Sequence, residues 1–424
     1  MANVFSRTTT QVMDWVNARA PGMMPGYRKH MTEYYAPKNF NVWYYFGSLA
    51  LVVLVNQIVT GIFLTMHFKP SAAEAFSSVE YIMRDVEWGW LIRYMHSTGA
   101  SLFFICIYLH MFRGLMYGSY QKPRELVWVI GMVLYLVLMA EAFMGYVLPW
   151  GQMSFWGAKV IISLFGAIPV IGNGLTEWIM GDYLPGDATL NRFFALHVIA
   201  LPLVILLLVV LHIGALHEVG SNNPDGVDIK KGPKGNRWSQ TAPADGIPFH
   251  PYYTTGKDLF GVAFFLIIAA FIIFFEPTFG GWFLEHDNFT EANRLVTPEH
   301  IKPVWYFTPY YAMLRVIPSF FAIKLWGVIV MFAAIAVLFL VPWLDKSPVK
   351  SYRYRGWFSW LMLMMLAVCF LWLGKIGAGP GTDPSEVIIG RLLTFLYFAF
   401  FITMPIWTKL DKTKPVPERV TMHD

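Results

Sequence analysis

Charge and cysteine are both scarce in this chain. Asp, Glu, Lys and Arg make up 14% of its 424 residues, against roughly 25% in a soluble domain. There are two cysteines, Cys106 and Cys369. Both sit inside apolar runs, with no CxxC or CxxCH context. A zinc site, a redox dithiol and a covalently attached cofactor are therefore excluded, and both thiols read as buried small hydrophobes. Solenoid repeats and low-complexity tracts are missing. So is a cleavable signal pattern, because the first long apolar run starts near Trp43. The net charge of +5 reads as a topology signal, and no nucleic-acid partner is expected.

Apolar residues take the place of charge. They make 56% of the chain, and Phe, Trp and Tyr alone make 17%, which suits interfacial belts and packing around a flat cofactor. A membrane crossing needs about 20 apolar residues. Eight stretches qualify: 43–66, 89–112, 125–147, 194–216, 259–281, 321–342, 357–373 and 388–408, the seventh being short. The expectation is an all-α membrane protein with both termini on one side. Most of the 32 basic residues fall on the side of the termini, which predicts that this side is cytoplasmic. Two long loops face outward. Residues 146–192 read as an amphipathic element lying on the membrane. Residues 282–320 carry an aromatic cluster between prolines, and such loops are more often sites than spacers.

Four histidines lie inside these spans: His96 and His110 in the second, His197 and His212 in the fourth. A ring nitrogen in lipid needs a partner that lipid cannot supply. The two spans run parallel, so His96 matches His197 in depth and His110 matches His212. Fourteen residues at 1.5 Å rise separate His96 from His110 by about 21 Å. Two such pairs read as axial ligands of two haems stacked across the bilayer.

Glycines repeat the step. Gly47 and Gly61 in the first span are 14 apart, as are Gly131 and Gly145 in the third. The absence of a side chain would let a macrocycle edge approach the backbone. Arg93, Arg113 and Arg192 each lie about a turn outward of a ligand, where haem propionates would emerge. The 15-residue step from His197 to His212 misses the shared face by about 60°. A local kink or wide turn is expected near Ala200–Pro202.

At these residues the chain resembles cytochrome b of the quinol–cytochrome c oxidoreductase (bc1 complex), bacterial type. The motifs are WLIRYMHSTGAS, HMFRGLMYGSY, AFMGYVLPWGQMSFWGA, RFFALH, LHEVGSNNP, IPFHPYYTTGKD and KPVWYF. The eight-span length resembles the fused respiratory form. The resemblance implies two haem b groups, low-potential at His96/His197 and high-potential at His110/His212. The first four spans would form a four-helix di-haem bundle. It also implies an outer quinol-oxidation site around Tyr146, Trp156, Gly157, Tyr306 and Tyr311, and an inner quinone-reduction site at Ser48, His217, Lys257 and Asp258. A histidine ordinarily titrates near neutrality and could hand a proton to reduced quinone.

Further implied are ubiquinone as substrate, a Rieske iron–sulfur protein and cytochrome c1 as partners, a homodimeric complex, and a bacterial inner-membrane location. The domains would be a cytoplasmic segment 1–42, a di-haem domain 43–258, a C-terminal domain 259–410 and a cytoplasmic tail 411–424. One departure stands out. The family loop usually reads Pro-Glu-Trp-Tyr, and here it is Pro303-Val304-Trp305-Tyr306. Glu299 is the expected replacement for the missing proton-accepting glutamate. Two other classes compete: a di-haem anchor of another quinone-linked dehydrogenase, which would lack GYVLPWGQMSFWGA, and a transporter, which would show inverted repeats and no haem pattern.

Overall fold

A computed structural model describes residues 2–235, 239–318 and 325–422, with side chains from residue 7 onward. Among the described residues, eight helices are long and apolar enough to cross a membrane: Val42–Thr65, Gly89–Tyr117, Glu125–Val147, Asp187–Val219, Phe249–Phe275, Leu325–Leu344, Trp357–Ala378 and Pro384–Ile402. The expected start of the sixth span, 321–324, lies outside the described residues.

Span ends follow local chemistry. The second span stops at Gly118, whose φ of +61° is a left-handed cap. A Cβ there would also strike the carbonyl of Lys350, so glycine alone fits. The fifth span ends at Phe275, six residues before the expected 281. Pro277 excludes the helical region for Glu276, which takes φ −141° and ψ 53°. The seventh is longer than the apolar run suggested, because its helix continues past Lys375 to Ala378. The eighth opens on Asp383, whose side chain accepts from the Ser385 N–H, with Pro384 in the first turn.

The largest buried cluster runs between the spans, from Val53 and Phe104 through Tyr135 and Ile335 to Phe400. Apolar side chains on the fourth and fifth spans, Leu203, Leu207, Val210, Phe264 and Phe271 among them, face outward, as lipid contact permits. A short ribbon pairs Tyr35–Pro37 antiparallel with Gly246–Pro248. It holds the N-terminal segment against the start of the fifth span. The tail is docked rather than free: Arg419 bonds Asp245 at 2.7 Å, and the Thr421 N–H reaches Asp225 at 2.7 Å.

The two loops expected to face outward are folded too. Residues 146–192 form helices Gln152–Ser163 and Gly172–Met180. The first is buried along Gln152–Ala158, deeper than a helix resting on the membrane. Residues 282–318 pack beneath it and close with a turn at Trp305–Phe307 and a helix at Thr308–Val316.

Candidate functional site

The four intramembrane histidines face one another in the expected pairs. His96 and His197 have ring centres 6.1 Å apart, and His110 and His212 6.3 Å apart. Imidazole nitrogen binds a metal at about 2 Å, and the ring centre lies roughly 1 Å further on. Two rings on opposite sides of one ion thus sit about 6 Å apart, so both spacings fit a bis-histidine metal. The Nδ1 atoms are engaged from behind in three of the four, that of His110 by Arg113. His96 Nδ1 is 2.9 Å from the Thr60 hydroxyl, and His197 Nδ1 is 2.9 Å from the Glu141 carbonyl oxygen. Those contacts fix ring orientation and leave Nε2 for the shared space. The Glu141 carboxylate also lies 3.0 Å from His197 Nδ1.

The glycines serve the rings directly. A Cβ at Gly47 would lie 3.3 Å from His110 Cε1, one at Gly61 3.3 Å from His96 Cε1, and one at Gly131 3.1 Å from His212 Cε1. One at Gly145 would collide with His197 Cε1. The expectation was room for a macrocycle edge. Each glycine lies against one imidazole of a neighbouring span, so the glycine step equals the histidine step.

The fifteenth residue of the fourth span has a definite place. Leu196–Ala200 form a π-helical turn, with the Leu201 N–H bonded to the Leu196 carbonyl. A π turn inserts one residue without breaking the helix. Pro202 follows immediately and has no N–H to give. The normal ladder is already interrupted there, and His197 and His212 stay on one face.

The arginines divide. Arg113 Nη2 lies 3.2 Å from His110 Nδ1 and bonds Ser119, with its guanidinium 4.9 Å over the Tyr44 ring. Arg192 donates to the Trp178 carbonyl of the outward helix, away from its histidine. Arg93 lies within the second span, one turn before His96.

At the inner end, Ser48 Oγ donates to Asp258 Oδ2 at 2.9 Å. His217 stacks on Tyr34 with centres 3.9 Å apart, and its Nδ1 is 3.0 Å from His30 Nδ1. Lys257 lines a cavity of about 710 Å³ with Thr32, Tyr35, Tyr45, His250 and Tyr252. Ser48, Asp258 and His217 are not in its lining, so the four expected residues form three neighbouring groups. His30 and Tyr34 escaped the sequence reading because they precede the first span.

At the outer end, Tyr146 donates its hydroxyl to Glu285. Glu285 is 6% exposed and lines a cavity of about 260 Å³ with Lys302, Pro303, Trp305, Thr308 and Lys375. Burial pushes its carboxyl up to about 7, against the Tyr146 hydrogen bond and the Lys302 charge, which favour the ionised form. Tyr306 stacks on Phe104 at 3.9 Å, and its carbonyl accepts from Tyr108. Trp156 Nε1 bonds the Asn293 carbonyl at 3.2 Å. A Cβ at Gly157 would lie 4.0 Å from Tyr146 Cε1, an ordinary contact that imposes no demand for glycine. Tyr311 bonds the Ile301 carbonyl at 3.2 Å and carries Arg315 over its ring, outside the Glu285 cavity.

The expectation for Glu299 is corrected. Its side chain is 92% exposed, and His300 Nε2 lies 4.0 Å from its carboxyl. Nothing desolvates it, so nothing suits it to exchange a proton with a buried substrate. Val304 is buried at 4%. The sequence reading missed Glu285. Its one available signal was a carboxylate in a loop rich in aromatics.

Comparison with known proteins decides the family. The model described as "Cytochrome b/b6/petB" matches residues 31–220, and "Cytochrome b(C-terminal)/b6/petD" matches 291–398. The chain is 61% identical over 417 residues to a cytochrome b of Allochromatium vinosum, covering 98% of this chain and 100% of that one. The chain belongs to the cytochrome b family. A family member from Rickettsia bellii is 47% identical, with 97% of each chain covered. A solved structure described as a hyperthermophilic respiratory Complex III superposes with a TM-score of 0.83 at 38% identity, covering 94% of this chain and 98% of that one. Family membership brings haem b binding with it, and the donor set described above fits that group.

Proposed function

We propose that this chain is the transmembrane electron-transfer subunit of a respiratory quinol–cytochrome c oxidoreductase. The facing of His96 with His197 and of His110 with His212, at 6.1 and 6.3 Å, carries the reading. The superposed relative is itself described as a respiratory Complex III. Two haem b groups would be held by these pairs, and when bound they supply one-electron carriage along the second and fourth spans. The four glycines and the π turn hold the ring faces in register, while Thr60 and Glu141 hold tautomer and orientation.

Quinol, with ubiquinol as the expected form, would be oxidised at the outer end near Tyr146, Trp156, Gly157, Tyr306 and Tyr311. One electron would leave to a Rieske iron–sulfur protein and onward to cytochrome c1. The other would descend to the inner end, where quinone is reduced near Ser48, His217, Lys257 and Asp258. There His217 and Asp258 would deliver protons, and Lys257 would resupply them from the cytoplasmic side. Arg93, Arg113 and Arg192 would pair with haem propionates, Arg192 only after leaving its Trp178 bond. The complex would be a dimer in a bacterial inner membrane, with both termini cytoplasmic.

The test is quinol-dependent reduction of cytochrome c by the intact complex, with spectra recorded alongside. Quinol should reduce b-type bands. His217→Leu should slow turnover by roughly 10²-fold with those bands retained. A complex that shows b-type bands but transfers no electrons from quinol to cytochrome c contradicts the reading. It would favour a di-haem anchor of another dehydrogenase.

A further inference from the structure

We propose that Glu285 is the catalytic residue that accepts the proton of quinol at the outer site, an inference that rests on the quinol-oxidising function above. Position is the first support. Glu285 shares its cavity with Lys302, Pro303 and Trp305, the loop in which Val304 replaces the expected glutamate. The cavity therefore lacks a carboxylate at residue 304 and receives one from the preceding segment.

Anchoring is the second support. The segment after Glu285 is laced to the outward helix, with the Gln152 N–H bonding the Thr290 carbonyl at 2.9 Å and the Ser154 N–H bonding Asn288 Oδ1 at 2.9 Å. Ser154 Oγ in turn bonds the Tyr146 carbonyl at 2.6 Å. Carboxylate and tyrosine are thus held by one frame, and a donor fixed in this way keeps the acceptor oriented.

The electrostatic surroundings are the third. Tyr146 faces Glu285 from the third span, Lys302 and Tyr306 from the outer loop, and Asp287 from its own turn. Lys375 of the seventh span lines the same cavity. Burial raises the carboxyl to about 7, so both protonation states are populated near neutrality. A base of that strength can take a proton and give it up again.

The step balances with one co-reactant, the one-electron iron–sulfur acceptor of the proposed complex. An O–H bond of quinol breaks, its proton bonds to a carboxylate oxygen of Glu285, and one electron leaves to that acceptor. A neutral semiquinone remains, still holding one proton and one electron. Neutral Glu285 then releases its proton to outer water, and the Lys302 charge favours the return of the carboxylate.

The experiment measures quinol-dependent cytochrome c reduction by the intact complex between pH 5.5 and 8.5 (values of about this range bracket the pKa) for the parent and for Glu285→Gln and Glu285→Asp. The parent rate should rise with pH through about 7. Glu285→Gln should lose roughly 10²-fold in rate and its acid limb, with dithionite-reduced b-type bands unchanged. Glu285→Asp should keep the limb at an intermediate rate. A second readout needs no variant: the infrared band of a protonated carboxyl in the parent should vanish as pH rises through about 7. An active parent matched in rate and acid limb by Glu285→Gln overturns the inference and leaves the function intact. If Glu285→Gln does not assemble, a parent infrared spectrum with no carboxyl titrating near 7 overturns it. An inactive parent overturns the function itself.

Discussion

Tyr146, in the last turn of the third span, donates its hydroxyl to the carboxylate of Glu285 in the loop after the fifth. This contact ties the histidine-bearing half of the chain to the loop that follows the fifth span. It favours the ionised carboxyl, while burial favours the neutral one.

Removing the donor therefore has a sign. Tyr146→Phe keeps the ring, deletes the hydrogen bond and raises the Glu285 pKa above about 7. A hydrogen bond to a charged group contributes about 1.5–3 kcal/mol, and one pKa unit is about 1.4 kcal/mol. The acid limb of quinol oxidation should move up by about one to two units. The pH–rate profile of the purified complex checks this, and an unmoved limb counts against the coupling.

Gly145 should tolerate no side chain. A Cβ there collides with His197 Cε1, whereas one at Gly214 in the same bundle meets nothing within 4 Å. Gly145→Ala should lose the outer haem, leaving roughly half of the b-type absorbance. Gly214→Ala should retain all of it. Reduced-minus-oxidised spectra distinguish the two.

Glu141 should tune the outer haem. Its carboxylate lies 3.0 Å from His197 Nδ1, where negative charge strengthens the imidazole as a donor and stabilises the oxidised metal. Glu141→Gln should raise the midpoint of that haem by on the order of 60 mV, one tenfold step for a one-electron couple. The His110/His212 haem should hold its potential. Equal movement of both would point to a general disturbance of the bundle.

The sixth and seventh spans are joined by a buried ion pair. Arg355 Nη2 lies 2.6 Å from Asp345 Oδ2, both side chains are sealed from solvent, and Tyr120 adds a 2.6 Å bond to the same oxygen. Asp345→Asn leaves the guanidinium charge uncompensated and should cost about 3–5 kcal/mol. Glu74→Gln at the exposed Lys69 pair should cost near nothing. Thermal inactivation of the detergent-solubilised complex compares them.

Much of this architecture was legible before the structure. Spans, parity and histidine pairs follow from apolar length and from the cost of a polar ring in lipid. The 15-residue step announced a distortion, and the π turn at Leu196–Ala200 supplies it. Periodicity could not reveal contacts between distant loops. Glu285 and Glu299 are both loop carboxylates in the sequence, and only tertiary burial separates them. His30 reaches His217 across 187 positions, through a ribbon that no local pattern announced. The glycine spacing was legible, whereas the contact of each glycine with one imidazole was not, since the sequence could not say which way the rings turn.

The central claim is that two histidine pairs each hold a haem. Potentiometric titration of the purified complex, parent beside His96→Leu and His110→Leu, tests it most directly. The parent should show two b-type components of different midpoint, with each variant lacking a different one. A single component in the parent, or the loss of the same component in both variants, would contradict two separate haem sites.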